Sequence, residues 1–132
     1  MQRSLSVVLP VKDAQTTLSD SVHEILDVLS DSIERFELLV VDDGSTDATS
    51  EVAHELTCYY PQVRLIRHGT SLGREAAIQT GVQRSRGEVV VLRDKGHGYR
   101  ILERRPMLSK PVASGPARPN YLSRLKSFAL GE

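Results

Sequence analysis

The sequence predicts an α/β protein: a three-layer α/β/α arrangement around a mostly parallel central sheet, shortened at its carboxyl end. Three observations carry this. Short, β-branched apolar runs alternate with longer stretches of helical periodicity, and each run breaks at its carboxyl end into turn residues. The alternation then stops after Arg93, beyond which Pro106, Pro111, Pro116 and Pro119 interrupt any long element. A β-α-β-α-β-α-β order implies parallel strands joined by right-handed crossovers.

The elements follow in order. Leu5 to Leu9 reads as a strand buried on both faces and stopped at Pro10, which has no N–H to give. Leu18, Val22, Ile25, Leu26 and Leu29 then form one apolar helical stripe, with Asp20, Glu24, Asp27 and Asp31 largely off it. Phe36 to Val41 is the second strand. Ala48, Val52 and Leu56 repeat at helical spacing, and Val63 to Ile66 makes a third strand behind Pro61. A third helix starts near Ser71 or Gly73, and its small residues Ala76, Ala77 and Gly81 allow close approach to the sheet. Gly87 ends the connection to a fourth strand, Val89 to Leu92. Residues 1–95 are thus the expected core, and 96–132 an irregular, proline-rich tail. Residues 96–118 read as irregular, and a short helix is expected from Asn120, with Tyr121, Leu122, Leu125, Phe128 and Leu130 apolar.

Bulk properties narrow the classes. A chain of 132 residues fits one domain and buries roughly two-thirds of the surface its unfolded form exposes. Its 17 basic and 17 acidic residues cancel, so no nucleic-acid partner is expected. The charge is unevenly spread: residues 104–132 hold six Lys/Arg and one acid. That basic tail beside an apolar stripe either docks on the core or suits peripheral contact with a membrane or a protein. One cysteine, Cys58, rules out an intramolecular disulfide, and no run reads as a signal peptide or membrane span, so a cytoplasmic location is expected.

The stretch Val40-Val41-Asp42-Asp43-Gly44-Ser45-Thr46-Asp47 carries the functional signal. It places two carboxylates at the carboxyl end of a buried strand, the edge where open α/β sheets bind ligands. Gly44 to Asp47 read as turn chemistry, with Gly44 free to take positive φ and Ser45 or Thr46 able to cap the next helix. Asp42 and Asp43 are different, because adjacent like charges repel unless a cation, donor or ligand stands between them.

Four motifs, in order, resemble the inverting nucleotide-sugar glycosyltransferases that include dolichyl-phosphate mannose synthases, built on the GT-A fold. Ser6 to Asp13 is similar to that family's first strand and Pro-x-x-Asn turn, with Asp13 in the Asn position. Val40 to Asp47 resembles its acidic second-strand signature. Gly73, Ala77, Gly81, Gly87 and Glu88 resemble its small-residue helix and approach to the fourth strand, and Asp94 falls at the first Asp of its Asp-x-Asp motif. The resemblance covers about residues 4 to 95, the donor-binding half.

It implies a nucleotide-diphosphate sugar as ligand, with Pro10, Val11, Lys12 and Asp43 on the nucleobase and ribose. Asp43 can accept from a uracil or guanine N–H. Asp42 either shares that task or serves the fold, accepting from backbone N–H groups near the turn. Arg74 either meets phosphate, helped by the helix N-terminus, or is a solvated arginine. The resemblance also implies Mg²⁺ or Mn²⁺, yet residues 94–96 read Asp94-Lys95-Gly96, without the second carboxylate. Three readings stay open: Asp94 holds a metal with phosphate and water, aided by His97 for Mn²⁺; Arg93 and Lys95 replace the cation, making the site metal-independent; or Asp94 pairs with Arg93 or Lys95 in an inactive site. No acceptor base is recognisable, Glu103 and Glu132 reading as solvated charges and His23, His54 and His68 receiving no catalytic role. The expectation is a glycosyltransferase of unknown sugar and acceptor, the alternative a catalytically inactive binding or assembly module on the same fold. A receiver-like signalling domain is disfavoured, because its acidic pair belongs after the first strand and here the pair follows the second.

Overall fold

The computed structural model describes residues 4–93, 96 and 98–105. Seven elements alternate as the periodicity predicts: β1 (Leu5–Val11), α1 (Leu18–Ser32), β2 (Phe36–Asp42), α2 (Thr49–Tyr59), β3 (Val63–Arg67), α3 (Arg74–Arg84) and β4 (Val89–Arg93). An eighth, β5 (Tyr99–Arg104), runs antiparallel to β4. It corrects the expectation that irregular chain begins at 96. Among the described residues β5 pairs on one side only, and its half-buried Ile101, Leu102 and Glu103 lie between exposed Arg100 and Arg104. The long apolar run that betrays a central strand is therefore missing from its sequence. The expected helix from Asn120 and the basic tail beyond Arg105 lie outside the described residues.

Strand order is β3-β2-β1-β4-β5, with β1 to β4 parallel. Side chains alternate across the pleat, which builds two cores. Leu5, Val7 and Leu9 of β1, with Leu38 and Val40 of β2 and Val89 and Val91 of β4, pack under α1 and α2. Val8, Leu39, Val41 and Val90 face the other way, against Ala77 of α3 and Ile66 of β3. Two helices on one face and one on the other make the expected three layers. Strand order reverses between β1 and β4, because the chain crosses from β3 over two strands through α3. Such a switch point leaves a crevice at the carboxyl ends of the strands.

Two local features set the geometry of that edge. β1 runs one residue past Pro10; its pairing to β4 stops at Val8, so the proline sits where the strand is paired on one side only. α3 lies close on the sheet because Gly81 has no side chain: a Cβ there would stand 2.4 Å from Val8 Cγ1. The opposite, amino edge is locked by Glu37, whose carboxylate accepts from Arg64 at 2.6 Å, Ser6 Oγ at 2.6 Å and the Arg86 amide at 2.6 Å. Two open grooves lie at that edge, one beside Arg35 and Gly87 and one beside Glu34 and Gln62, both away from the acidic residues.

Candidate functional site

At the carboxyl edge the β1–α1 and β2–α2 turns are stitched together. Asp13 adopts φ 51°, a left-handed conformation that Asp tolerates better than most residues. Its amide donates to Ser45 Oγ at 2.7 Å, and its Oδ1 accepts from the Thr46 amide at 2.8 Å. The Ala14 amide donates to Thr49 Oγ1 at 2.7 Å, and Gln15 exchanges bonds with Asp47 and Ala48. Ser45 and Thr46 therefore do not cap α2, as the sequence had suggested; their hydroxyls are used across the turn. The helix starts instead behind Asp47, whose Oδ1 accepts the Thr49 amide at 2.8 Å and the Thr49 hydroxyl. Those bonds, Thr49's first, lower the Asp47 pKa.

The two central carboxylates have separate surroundings. Asp42 is fully buried, and its Oδ1 accepts from the Ser45 amide at 3.1 Å and Ser45 Oγ at 2.6 Å. Its Oδ2 has no hydrogen bond and lies 3.9 Å from Arg67 Nε. This carboxylate faces inward and holds the turn. Asp43 points instead toward the loop ahead of α3. Its Oδ1 takes His68 Nδ1 and the Leu72 amide, both at 2.8 Å, and its Oδ2 takes Ser71 Oγ at 2.9 Å and the Gly73 amide at 3.0 Å. Two oxygens carry about four lone-pair sites, so the carboxylate is saturated. Burial pushes its pKa up, but the Leu72 amide, His68, Ser71 and the Gly73 amide outweigh burial and hold it well below the usual carboxylate range. An anionic Asp43 can only accept, which puts a proton on His68 Nδ1 and leaves Nε2 for Thr80 Oγ1 at 2.9 Å.

The structure brings together most of the residues expected at the site. Pro10 and Val11 lie in register with Val41 and Asp42, and the Asp43 amide donates to the Val11 carbonyl at 2.9 Å. Lys12 is exposed at this edge, and Arg74 opens α3 directly after Gly73. Arg93 goes elsewhere. It ends β4 on the α1 side of the sheet, where its NH2 lies 3.2 Å from Glu24 Oε1 and its NH1 donates to the Tyr99 hydroxyl at 3.2 Å. Its guanidinium also stacks 5.3 Å from the Tyr99 ring centre. Its side chain is only 5% exposed. Asp94, Lys95 and His97 lie outside the described residues. Among the described residues no group of three or more His, Cys, Asp or Glu could hold a metal ion.

Sequence reading missed the ring of donors around Asp43. His68 and Ser71 come from the end of β3 and the loop after it, and Thr80, in the second turn of α3, holds the far nitrogen of His68; only the crossover brings this chain of contacts to one carboxylate. A histidine ending the strand beside the acidic one was the available signal.

A doubly wound sheet with an antiparallel fifth strand and paired acidic residues at the carboxyl end of its second strand is the GT-A fold of glycosyltransferases. The chain belongs to the family described as Glycosyl transferase family 2, whose pattern matches residues 6–95. It is 34% identical over 102 residues to the dolichyl-phosphate beta-glucosyltransferase ALG5A of Trichomonas vaginalis, covering 74% of this chain and 32% of that protein. It is 35% identical over 99 residues to the human dolichyl-phosphate beta-glucosyltransferase, covering 70% and 31%. The chain thus spans about a third of the length of these relatives. Among solved structures, the Pyrobaculum calidifontis mannosyltransferase PcManGT, in complex with GDP-Man and Mn²⁺, superposes with a TM-score of 0.56 at 24% identity, covering 69% of this chain and 27% of that one. S. aureus TarS in complex with UDP-GlcNAc superposes with a TM-score of 0.53 at 22% identity, covering 67% and 25%. These likenesses show the fold.

Proposed function

We propose that this chain is the donor half of a glycosyltransferase and binds a nucleotide-diphosphate sugar at the crevice between β1 and β4. The observation that carries the reading is Asp43, an anionic acceptor at the carboxyl edge of the sheet, at the end of the strand next to β1. In this reading Asp43 accepts from the nucleobase, Pro10, Val11 and Lys12 flank the base and ribose, and Arg74 meets the diphosphate. Charge-assisted bonds to the departing diphosphate are what such a reaction asks of the protein. A divalent cation, if the reaction uses one, falls to Asp94 with phosphate and water ligands, because Asp42 is fully buried and Asp43 is given to the base in this reading. That PcManGT is in complex with Mn²⁺ supports the use of a metal by analogy. Transfer to a lipid-phosphate acceptor is the extension the relatives' names support. Among the described residues no helix is long and apolar enough to cross a membrane, and a cytoplasmic active site fits the single, exposed Cys58.

A second reading, a binding or assembly module without turnover, is favoured by one observation: residues 94–96 carry a single carboxylate where a metal motif would carry two. Calorimetry separates the readings. UDP or GDP, with and without Mn²⁺, is expected to bind the chain in the micromolar to millimolar range. No heat at millimolar nucleotide would sink the donor-site reading. Binding with no sugar released from a nucleotide sugar in the presence of Mn²⁺ would favour the module.

A further inference from the structure

Asp43 is expected to receive a nucleobase, yet all of its acceptor positions are filled from within the chain. One donor has to leave, and the four differ in what leaving requires. His68 is 9% exposed and is held at its other nitrogen by Thr80, so its departure breaks two bonds in a buried place. The Leu72 and Gly73 amides are backbone. They leave only if the loop shifts, and that loop lies tightly on Gly44, where a Cβ would stand 2.5 Å from the Ser71 nitrogen and 2.7 Å from the Thr70 carbonyl carbon. Ser71 alone is an exposed side chain on one rotatable bond, and its hydroxyl finds water as soon as it turns away.

Resting on the donor-site reading above, we propose that the Ser71 hydroxyl is a placeholder for the nucleobase. It occupies the position on Asp43 Oδ2 that an imino N–H of uracil or guanine takes on binding, and it is displaced by rotation about its Cα–Cβ bond. His68, Leu72 and Gly73 stay in place and keep the carboxylate anionic and oriented. Ser71 thereby tunes affinity for the base without touching the phosphates. It also keeps the saturated carboxylate from taking other donors while the site is empty.

The test compares wild type, Ser71→Ala and Ser71→Thr by calorimetry against uridine, UDP, guanosine, GDP and inorganic pyrophosphate, with thermal melts to confirm folding. Removing the hydroxyl frees one acceptor position and removes one bond that binding must break. The alanine variant is therefore expected to bind the preferred nucleoside and its diphosphate about three- to tenfold more tightly, the range of one net hydrogen bond. Pyrophosphate affinity is expected not to change, and the threonine variant, which keeps the hydroxyl, is expected to match wild type. If wild type binds the nucleotide and the alanine variant binds it equally or more weakly, the placeholder is wrong while the donor site stands. A gain that appears equally with pyrophosphate overturns it too, because the effect then lies with the phosphates. If neither protein binds any nucleoside or nucleotide, the donor-site reading fails and the placeholder falls with it.

Discussion

At the scale of residues, Asp42 and Asp43 show how adjacent identical side chains acquire different chemistry. Asp42 ends a strand and points into the protein, where Ser45 satisfies one oxygen; Asp43 lies one residue later, past the ladder, and turns to the loop ahead of α3. Because hydrogen bonds outweigh burial and lower the Asp43 pKa, the folded state binds its proton less readily than the unfolded chain does. Its contribution to stability is therefore fully present above the ordinary aspartate value of about 3.9 and is lost as pH falls below it toward the folded value. Asp43→Asn would place an amide NH₂ against donors and is expected to cost about 2 kcal/mol at pH 7. Urea midpoints check both statements: the variant lies well below wild type at pH 7, and the gap narrows between pH 4 and pH 3. A gap that stays constant over that range would mean Asp43 does not titrate below the ordinary value.

At the scale of elements, the helices and parallel strands were legible because each repeats one pattern over several residues. The α1 stripe of Leu18, Val22, Ile25, Leu26 and Leu29 is buried as a set, and the Val89–Arg93 run is buried throughout. Short range is also where the reading failed. β5 is an edge strand rich in charge, and Ser45 and Thr46 look like caps but are used by Asp42 and Asp13 across the turn. The small residues of α3 were read correctly as a close-approach face, and Gly81 makes that quantitative. Gly81→Ala gains about 1 kcal/mol of helix propensity but drives a Cβ into fully buried, stiff Val8. Overpacking of this kind costs about 1–3 kcal/mol, so the variant is expected to be less stable on balance, as a lowered urea midpoint would register. An unchanged or raised midpoint would mean α3 can lift from the sheet at little cost.

At the scale of the whole molecule, the fold is a five-stranded sheet with one helix-covered face on each side and its polar chemistry sorted to opposite edges. Glu37, Arg64 and Ser6 close the amino edge, while Asp13, Asp43, His68 and Ser71 occupy the carboxyl edge. A ligand that binds only the folded chain stabilises it by mass action, about 2.7 kcal/mol at one hundred times its dissociation constant. Saturating UDP or GDP is therefore expected to raise the melting temperature of the 132-residue chain by itself. A melting curve that does not move, under conditions where calorimetry reports binding, would mean the nucleotide also binds the unfolded chain.

The sequence by itself determined the α/β class, the parallel order, the four motifs and the acidic edge, because each is written in periodicity or in contiguous residues. Only the tertiary structure decided how those residues are spent. It gave Asp42 to the turn, sent Arg93 under the sheet to Glu24 and Tyr99, and closed four donors around Asp43. Those partners lie up to 69 residues apart in the chain, and no local pattern records which side of a pleat or which end of a crossover a side chain will meet.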